Sequence, residues 1–199
     1  MKNDISTLNF NKVYSYANYL TWRFEEKLEL IKGRLFKMSP APSMQHQRVV
    51  SKLLVEIGSY LKHKKCQIFT APFDVRLPLN GERKDEDVYT VVQPDICIIC
   101  DLSKLENRGC LGAPDMIIEI LSPSNANTDV KDKFEVYRQT GVREYWIAHP
   151  LEGLINVFIL DENGKYQLDK IYTKEDKLSL HILPDCEIDL TEVFEDITT

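Results

Sequence analysis

Residues Gln93–Lys133 read QPDICIICDLSKLENRGCLGAPDMIIEILSPSNANTDVKDK. Two apolar runs stand out. Pro94-Asp95 leads into Ile96, Cys97, Ile98, Ile99 and Cys100, and Pro114-Asp115 leads into Met116, Ile117, Ile118, Glu119, Ile120 and Leu121. Each run is short, rich in β-branched residues and bounded by Pro, Gly or Ser, the pattern of a strand buried on both faces. A carboxylate inside such a strand is costly unless something positive meets it. Asp95 and Glu119 therefore need partners.

Alternation along a strand puts Asp115, Ile117, Glu119 and Leu121 on one face, and Asp95, Cys97 and Ile99 on one face. If the two strands pair, Asp95 and Glu119 can share a side. Two carboxylates held together repel, and one stays protonated unless a cation intervenes. A divalent ion suits such hard oxygen donors. The plainer alternative is that each acid meets an Arg or Lys, or sits in water at a strand end. Downstream, DVKDKFEVYRQTG (129–141) reads as a helix: Thr128 or Asp129 can cap its start and Gly141 can end it. Val130, Phe134 and Tyr137 form its apolar stripe, and Lys133 flanks that stripe. Lys133 either lays its stem along the core edge or aims its ammonium at the two acids.

These pieces carry a resemblance. LELIKGRLFKMSPAPSMQHQ, QPDICII, GAPDMIIEILSPS, DVKDKFEVYRQTGVREYWIAHP and LPDCEIDLTEVF resemble, in order, the PD-(D/E)XK nuclease superfamily, and within it the family described as putative restriction endonucleases with an Uma-type domain. The likeness spans about Leu28 to Phe194. It implies a metal-dependent endodeoxyribonuclease. Asp95, Glu119 and the Ile120 carbonyl would bind Mg²⁺ or Mn²⁺, with Lys133 assisting and DNA as substrate. The chain departs from the superfamily pattern at Leu121, which stands where the lysine would be two residues after the acid. Lys133 matches family members whose lysine lies on the following helix. The family also has a histidine where His46 stands, near the site mouth. On its own pattern His46 projects onto the apolar stripe of its helix and reads as a core residue with a satisfied nitrogen.

Length and composition bound the rest. A chain of 199 residues with 43% apolar and 28% charged residues suits one soluble globular domain. We expect that domain at residues 14–199, after a loose segment 1–13. No apolar run reaches the ~18 residues of a membrane span, and MKNDISTLNF lacks a signal core, so cytoplasmic is the expected location. A formal net charge of −6 argues against non-specific coating of nucleic acid but leaves a nuclease open. Cys66, Cys97, Cys100, Cys110 and Cys186 form an odd set without framework spacing and read as reduced, mostly packed thiols.

Around the central stretch we expect a short amphipathic helix in 14–27, a hairpin in Leu28–Met38 about Gly33, and a break at 39–42. A long helix follows over Ser43–Lys64, striped by Val49, Val50, Leu53, Leu54, Ile57 and Leu61. A strand is expected over Cys66–Leu79, with Asp74 as a further candidate acid, then an acidic turn at 80–87. Arg143–His149 reads as a strand. Asn163-Gly164 between alternating runs signals a hairpin, a short strand is expected near Lys177–Ile182, and a helical turn at Thr191–Phe194. The order of strands and helices argues a mixed α/β (α+β) sheet, and it matches the restriction-endonuclease-like fold with an αβββαβ core that the resemblance implies, with extra hairpins. Two rival readings remain open: a catalytically inactive binding or regulatory protein on the same fold, and a nuclease for RNA or branched DNA. Cutting both strands of a duplex also suits a homodimer.

Overall fold

The structure, a computed structural model, describes residues 5–38, 42–122 and 129–195, apart from the side chains of Thr7, Asp129 and Val130. The start of the break at 39–42, the loop after Ser122, the Thr128 cap and the Val130 side chain lie outside those residues. In chain order the elements are α1 (Tyr16–Tyr19), β1 (Leu28–Ile31), β2 (Arg34–Lys37), α2 (Met44–Leu61), β3 (Gln67–Thr70), β4 (Val75–Arg76), β5 (Val91–Val92) and β6 (Ile96–Ile99). Then come β7 (Leu105–Glu106), β8 (Gly109–Leu111), β9 (Met116–Ile120), α3 (Asp129–Thr140), β10 (Glu144–His149), β11 (Leu154–Leu160), β12 (Tyr166–Thr173), β13 (Lys177–Leu180), β14 (Leu183–Asp189) and α4 (Leu190–Val193).

The main sheet has the order β12-β11-β10-β9-β6-β3. β9 and β10 run parallel, joined through α3, while the other neighbours are antiparallel. The parallel pair needs its helical crossover because a hairpin cannot connect parallel strands. The set α2, β3, β6, β9, α3 and β10 is the expected αβββαβ core. Both acid-bearing strands are buried along their whole length, as their unbroken apolar runs require.

The alternation separates two layers of core. Ile96, Ile98, Met116, Ile118 and Ile120 face α2, which lays Val49, Leu53, Ile57 and Leu61 against them. Ser43 caps α2 by accepting from the His46 N–H at 3.2 Å. Cys97, Ile99, Ile117, Tyr145 and Ile147 face the other way and meet Val136 and Tyr137 of α3. Each fully buried aliphatic side chain of α2 contributes about 1.5–3 kcal/mol, so truncating Leu53 to Ala would cost roughly 2–5 kcal/mol.

A second sheet, β2-β1-β5-β4-β8-β7, stands beside the first. Its β1–β2 hairpin turns at Lys32-Gly33, both at positive φ (51° and 76°), the geometry of a two-residue turn matched to strand twist. Gly33 also sits so close to Val13 that an added Cβ would clash with its Cγ1. β11 and β12 form the hairpin that Asn163-Gly164 signals, and β13 pairs with β14. Among the described residues, no helix is long and apolar enough to cross a membrane.

Several expectations are corrected. The strand expected over 66–79 is two strands in different sheets: β3 ends at Thr70, and β4 joins the second sheet. Pro72 lies between them and has no N–H to extend a ladder. The helix expected in 14–27 is one turn long. Tyr14, Tyr19 and Phe24 instead pack edge-on or tilted against Trp22 over the second sheet's core. The 101–113 connection contains β7 and β8, and residues 183–189 form β14. Cys66 and Cys100 are not free thiols but a disulfide, with Cα atoms 4.0 Å apart. Gln67 pairs with Ile99, so the next residue out on each strand is a cysteine facing a cysteine. Cys97, Cys110 and Cys186 are buried and free, as expected.

Candidate active site

The antiparallel register of β6 and β9 sets the site. Ile96 pairs with Ile118, so one step outward Asp95 stands opposite Glu119. The Asp95 carboxylate turns back onto the neighbouring strand: the Ile120 N–H donates to its Oδ2 at 2.8 Å. His46, in the first turn of α2, sets Nε2 3.2 Å from the same oxygen. With Asp95 ionised, Nε2 is the donor of this pair, and Nδ1 is the ring's other nitrogen. That Nδ1 is buried and has no partner among the described residues.

Glu119 faces the α3 side. Lys133 and Tyr137 lie one turn apart on α3, so both reach the same carboxylate. The Tyr137 hydroxyl donates to Glu119 Oε1 at 2.6 Å, and Lys133 Nζ lies 3.2 Å from the same oxygen. Lys133 is 6% exposed, and its ammonium is directed at the acids instead of snorkelling to water. Its other carboxylate partner is Glu29 on β1, with Nζ 3.0 Å from Oε2. The Glu29 Oε1 accepts the Gln93 N–H at 2.7 Å. The Gln93 side chain continues outward and donates to Asp74 at 2.8 Å, and Asp74 also accepts from the Tyr16 hydroxyl.

The Lys133 ammonium thus lies between two carboxylates, Glu119 and Glu29, and a third, Asp95, acts on Glu119 from the neighbouring strand. Burial pushes the Glu119 carboxyl up to about 7; Lys133 pulls it back, while Asp95 and Glu29 push it further up and the Tyr137 hydrogen bond lowers it. Among the described residues named here carboxylates outnumber cations, and a proton on Glu119 is one remedy. A divalent cation is the other. The oxygens fit that remedy. On Glu119 both protein donors fall on Oε1, and on Asp95 both fall on Oδ2. Among the described residues each acid therefore keeps its second oxygen clear of hydrogen bonds. No group of three His, Cys, Asp or Glu side chains among the described residues is placed to hold a metal. The donor set here is two carboxylate oxygens and backbone.

Asp95, Glu119, Lys133 and His46 come together, and Ile120 contributes its N–H at the same point. Asp74 is linked to them only through Gln93. Glu29 and Tyr137 escape the sequence reading. Glu29 carries the same signal as Asp95 and Glu119, an acid within the apolar run LELI, but simple alternation assigns it to solvent. Tyr137 reads as part of the apolar stripe, and its ring is packed there; only its hydroxyl reaches the site.

Comparison with known proteins concerns the family and the fold. A crystal structure described as a putative nuclease belonging to DUF820, from Anabaena variabilis, superposes with a TM-score of 0.71 at 18% identity, over 93% of this chain and 99% of that one. An uncharacterized protein of Synechocystis sp. is 24% identical over 169 residues, 83% of this chain and 84% of its own length. The model of the Uma2 family, described as "Putative restriction endonuclease", matches residues 16–191. The chain therefore belongs to the Uma2 family and has a nuclease-like fold.

Proposed function

We propose that this protein is a divalent-metal-dependent endodeoxyribonuclease. The observation that carries the reading is the pair of opposed strand acids, each with one oxygen used by the protein and one left clear, beside a buried lysine. Asp95, Glu119 and the Ile120 carbonyl would hold Mg²⁺ or Mn²⁺. When bound, such an ion supplies Lewis-acid charge at the scissile phosphate and lowers the pKa of water. His46 and the Ile120 N–H fix the Asp95 carboxylate. Tyr137 fixes Glu119. Lys133 places positive charge where the phosphate oxygens gain negative charge, as a water oxygen bonds to phosphorus and the bond to the sugar oxygen breaks. Phosphoryl transfer depends mostly on such positioning and charge. A homodimer would bring two such sites to the two strands of a duplex.

Plasmid nicking in Mg²⁺ and in Mn²⁺ tests the proposal. The parent protein should convert supercoiled DNA to nicked or linear forms, and Asp95→Asn, Glu119→Gln and Lys133→Ala should not. Equal activity in all four proteins would assign the cleavage to a contaminant. Inactivity of all four on duplex, branched and RNA substrates would favour a binding protein built on the nuclease fold.

A further inference from the structure

Glu29 does not belong to the strands that carry the other acids. It lies on β1 in the second sheet and is 1% exposed. β1 pairs with β5 through Leu30 and Val91. That pairing brings Gln93, two residues after Val91, within reach of Glu29. Both Glu29 oxygens are engaged, Oε1 by the Gln93 N–H and Oε2 by Lys133. Asp95 and Glu119 each leave one oxygen clear, so Glu29 differs from them in kind: it is arranged as an anchor and not as a ligand.

Stability alone does not account for it. Burying a third carboxylate next to two others adds repulsion, and Glu29 is among the groups that push the Glu119 carboxyl up. A buried ion pair is in general no more stabilising than well-packed apolar residues of the same volume. What Glu29 does supply is a second fixed point for a lysine. An ammonium on a four-carbon stem held by Glu119 alone could swing about that one oxygen. Held at 3.0 Å by β1 and at 3.2 Å by β9, it is fixed between two sheets.

We propose that Glu29 is a positioning residue that pins the Lys133 ammonium beside Glu119 and keeps it there when Glu119 turns to a cation. Its use in cleavage rests on the nuclease reading above; the pinning itself does not. Amine acetylation of the metal-free protein, read by peptide mass spectrometry, tests the pinning. Lys133 should react slowly in the parent protein and at least about fivefold faster in Glu29→Gln, comparable to other losses of a supporting partner. Lys131, exposed on the same helix, should react equally in both. Should Glu29→Gln not fold, Glu29→Asp, which keeps the charge but shortens the reach, should give the same change to a smaller degree. Unchanged Lys133 reactivity in a folded variant would overturn the proposal.

The cleavage role is read by a double-mutant cycle. Glu29→Gln should lower kcat by about tenfold or more with KM within about twofold, and should lower it by less than about twofold when Lys133 is already Met. The same loss in both backgrounds would mean a general structural defect and would overturn the positioning role. If the parent protein cleaves nothing, the nuclease reading falls, and the acetylation rates still decide whether Glu29 pins Lys133.

Discussion

The two ends of the β6–β9 pair begin from the same dipeptide and arrive at different chemistry. Pro94-Asp95 and Pro114-Asp115 each open a strand, but the strands run antiparallel, so the two aspartates lie at opposite ends. At its end Asp115 accepts the Cys100 N–H at 2.6 Å and pairs with Arg143, a half-exposed cation. Its charge is balanced and its oxygens are used on backbone and surface. At the other end Asp95 meets Glu119 with His46, Lys133 and Glu29 behind them, and negative charge is left over. Glu144 on β10 is a third case. It is fully buried, yet neutral donors surround it: Trp146 Nε1 at 2.8 Å and the N–H groups of His181 and Ile182 at 3.0 and 2.8 Å. Burial in a strand does not mark an acid as functional. The excess of acid over donors is what motivates the proposed cation site.

The largest expected effect separates the two ends. Asp95→Asn and Glu119→Gln should each lower cleavage by about 10³-fold or more, the scale on which lost charge stabilisation is felt. Asp115→Asn should leave it within about threefold, since the whole length of β9 lies between that residue and the site. Comparable losses from Asp95→Asn and Asp115→Asn, measured as nicking rates, would break the comparison. Glu144→Ala should act on stability instead. It strands one buried donor, the Trp146 indole N–H, at roughly 1–3 kcal/mol, and two part-buried backbone N–H groups at less, so denaturant unfolding should show a loss of about 2 kcal/mol or more. A nicking rate that falls while stability holds would put Glu144 in the active site.

Lys133→Met ranks next, with a loss of about 10²-fold in cleavage and retained binding of Mn²⁺, because the lysine is not a ligand.

A smaller effect follows from protonation. The Glu119 carboxyl is raised to about 7, above its unfolded value. Its contribution to stability is therefore fully present below the unfolded pKa and is lost as pH rises through about 7. In the metal-free protein, unfolding free energy should fall between roughly pH 5 and 8 by more than in Glu119→Gln. The proton competes with a cation for the same carboxylate, so Mn²⁺ affinity should rise by about tenfold between pH 6 and pH 7 or above. Affinity independent of pH, read by calorimetry, would show that Glu119 is not the group the cation displaces a proton from. At the Asp115 end neither effect is expected.

Much of this geometry can be read from the residues, and what cannot has physical reasons. The runs from Ile96 and Met116 are legible because burial on both faces needs continuous apolar residues, so an acid within them is conspicuous. The α3 helix is legible from its stripe and from Gly141, whose φ of 90° ends it. Beyond its β1–β2 hairpin the second sheet is not legible, because β4, β5 and β7 are two residues each and carry no periodicity. Glu29 depends on that sheet and is lost with it. The Cys66–Cys100 bond depends on the register of β3 against β6, which spacing along the chain does not encode. Tyr137 shows a further limit: its ring and its hydroxyl belong to different environments, and a helical pattern reports only the ring.

The most direct test is a calorimetric titration of Mn²⁺ into metal-free protein at about pH 8, where Glu119 is ionised. The parent protein and Asp115→Asn should bind alike, and Asp95→Asn and Glu119→Gln should each lose at least about tenfold in affinity. Undiminished binding by both Asp95→Asn and Glu119→Gln, or none by the parent protein, would contradict a cation site between the two strand acids.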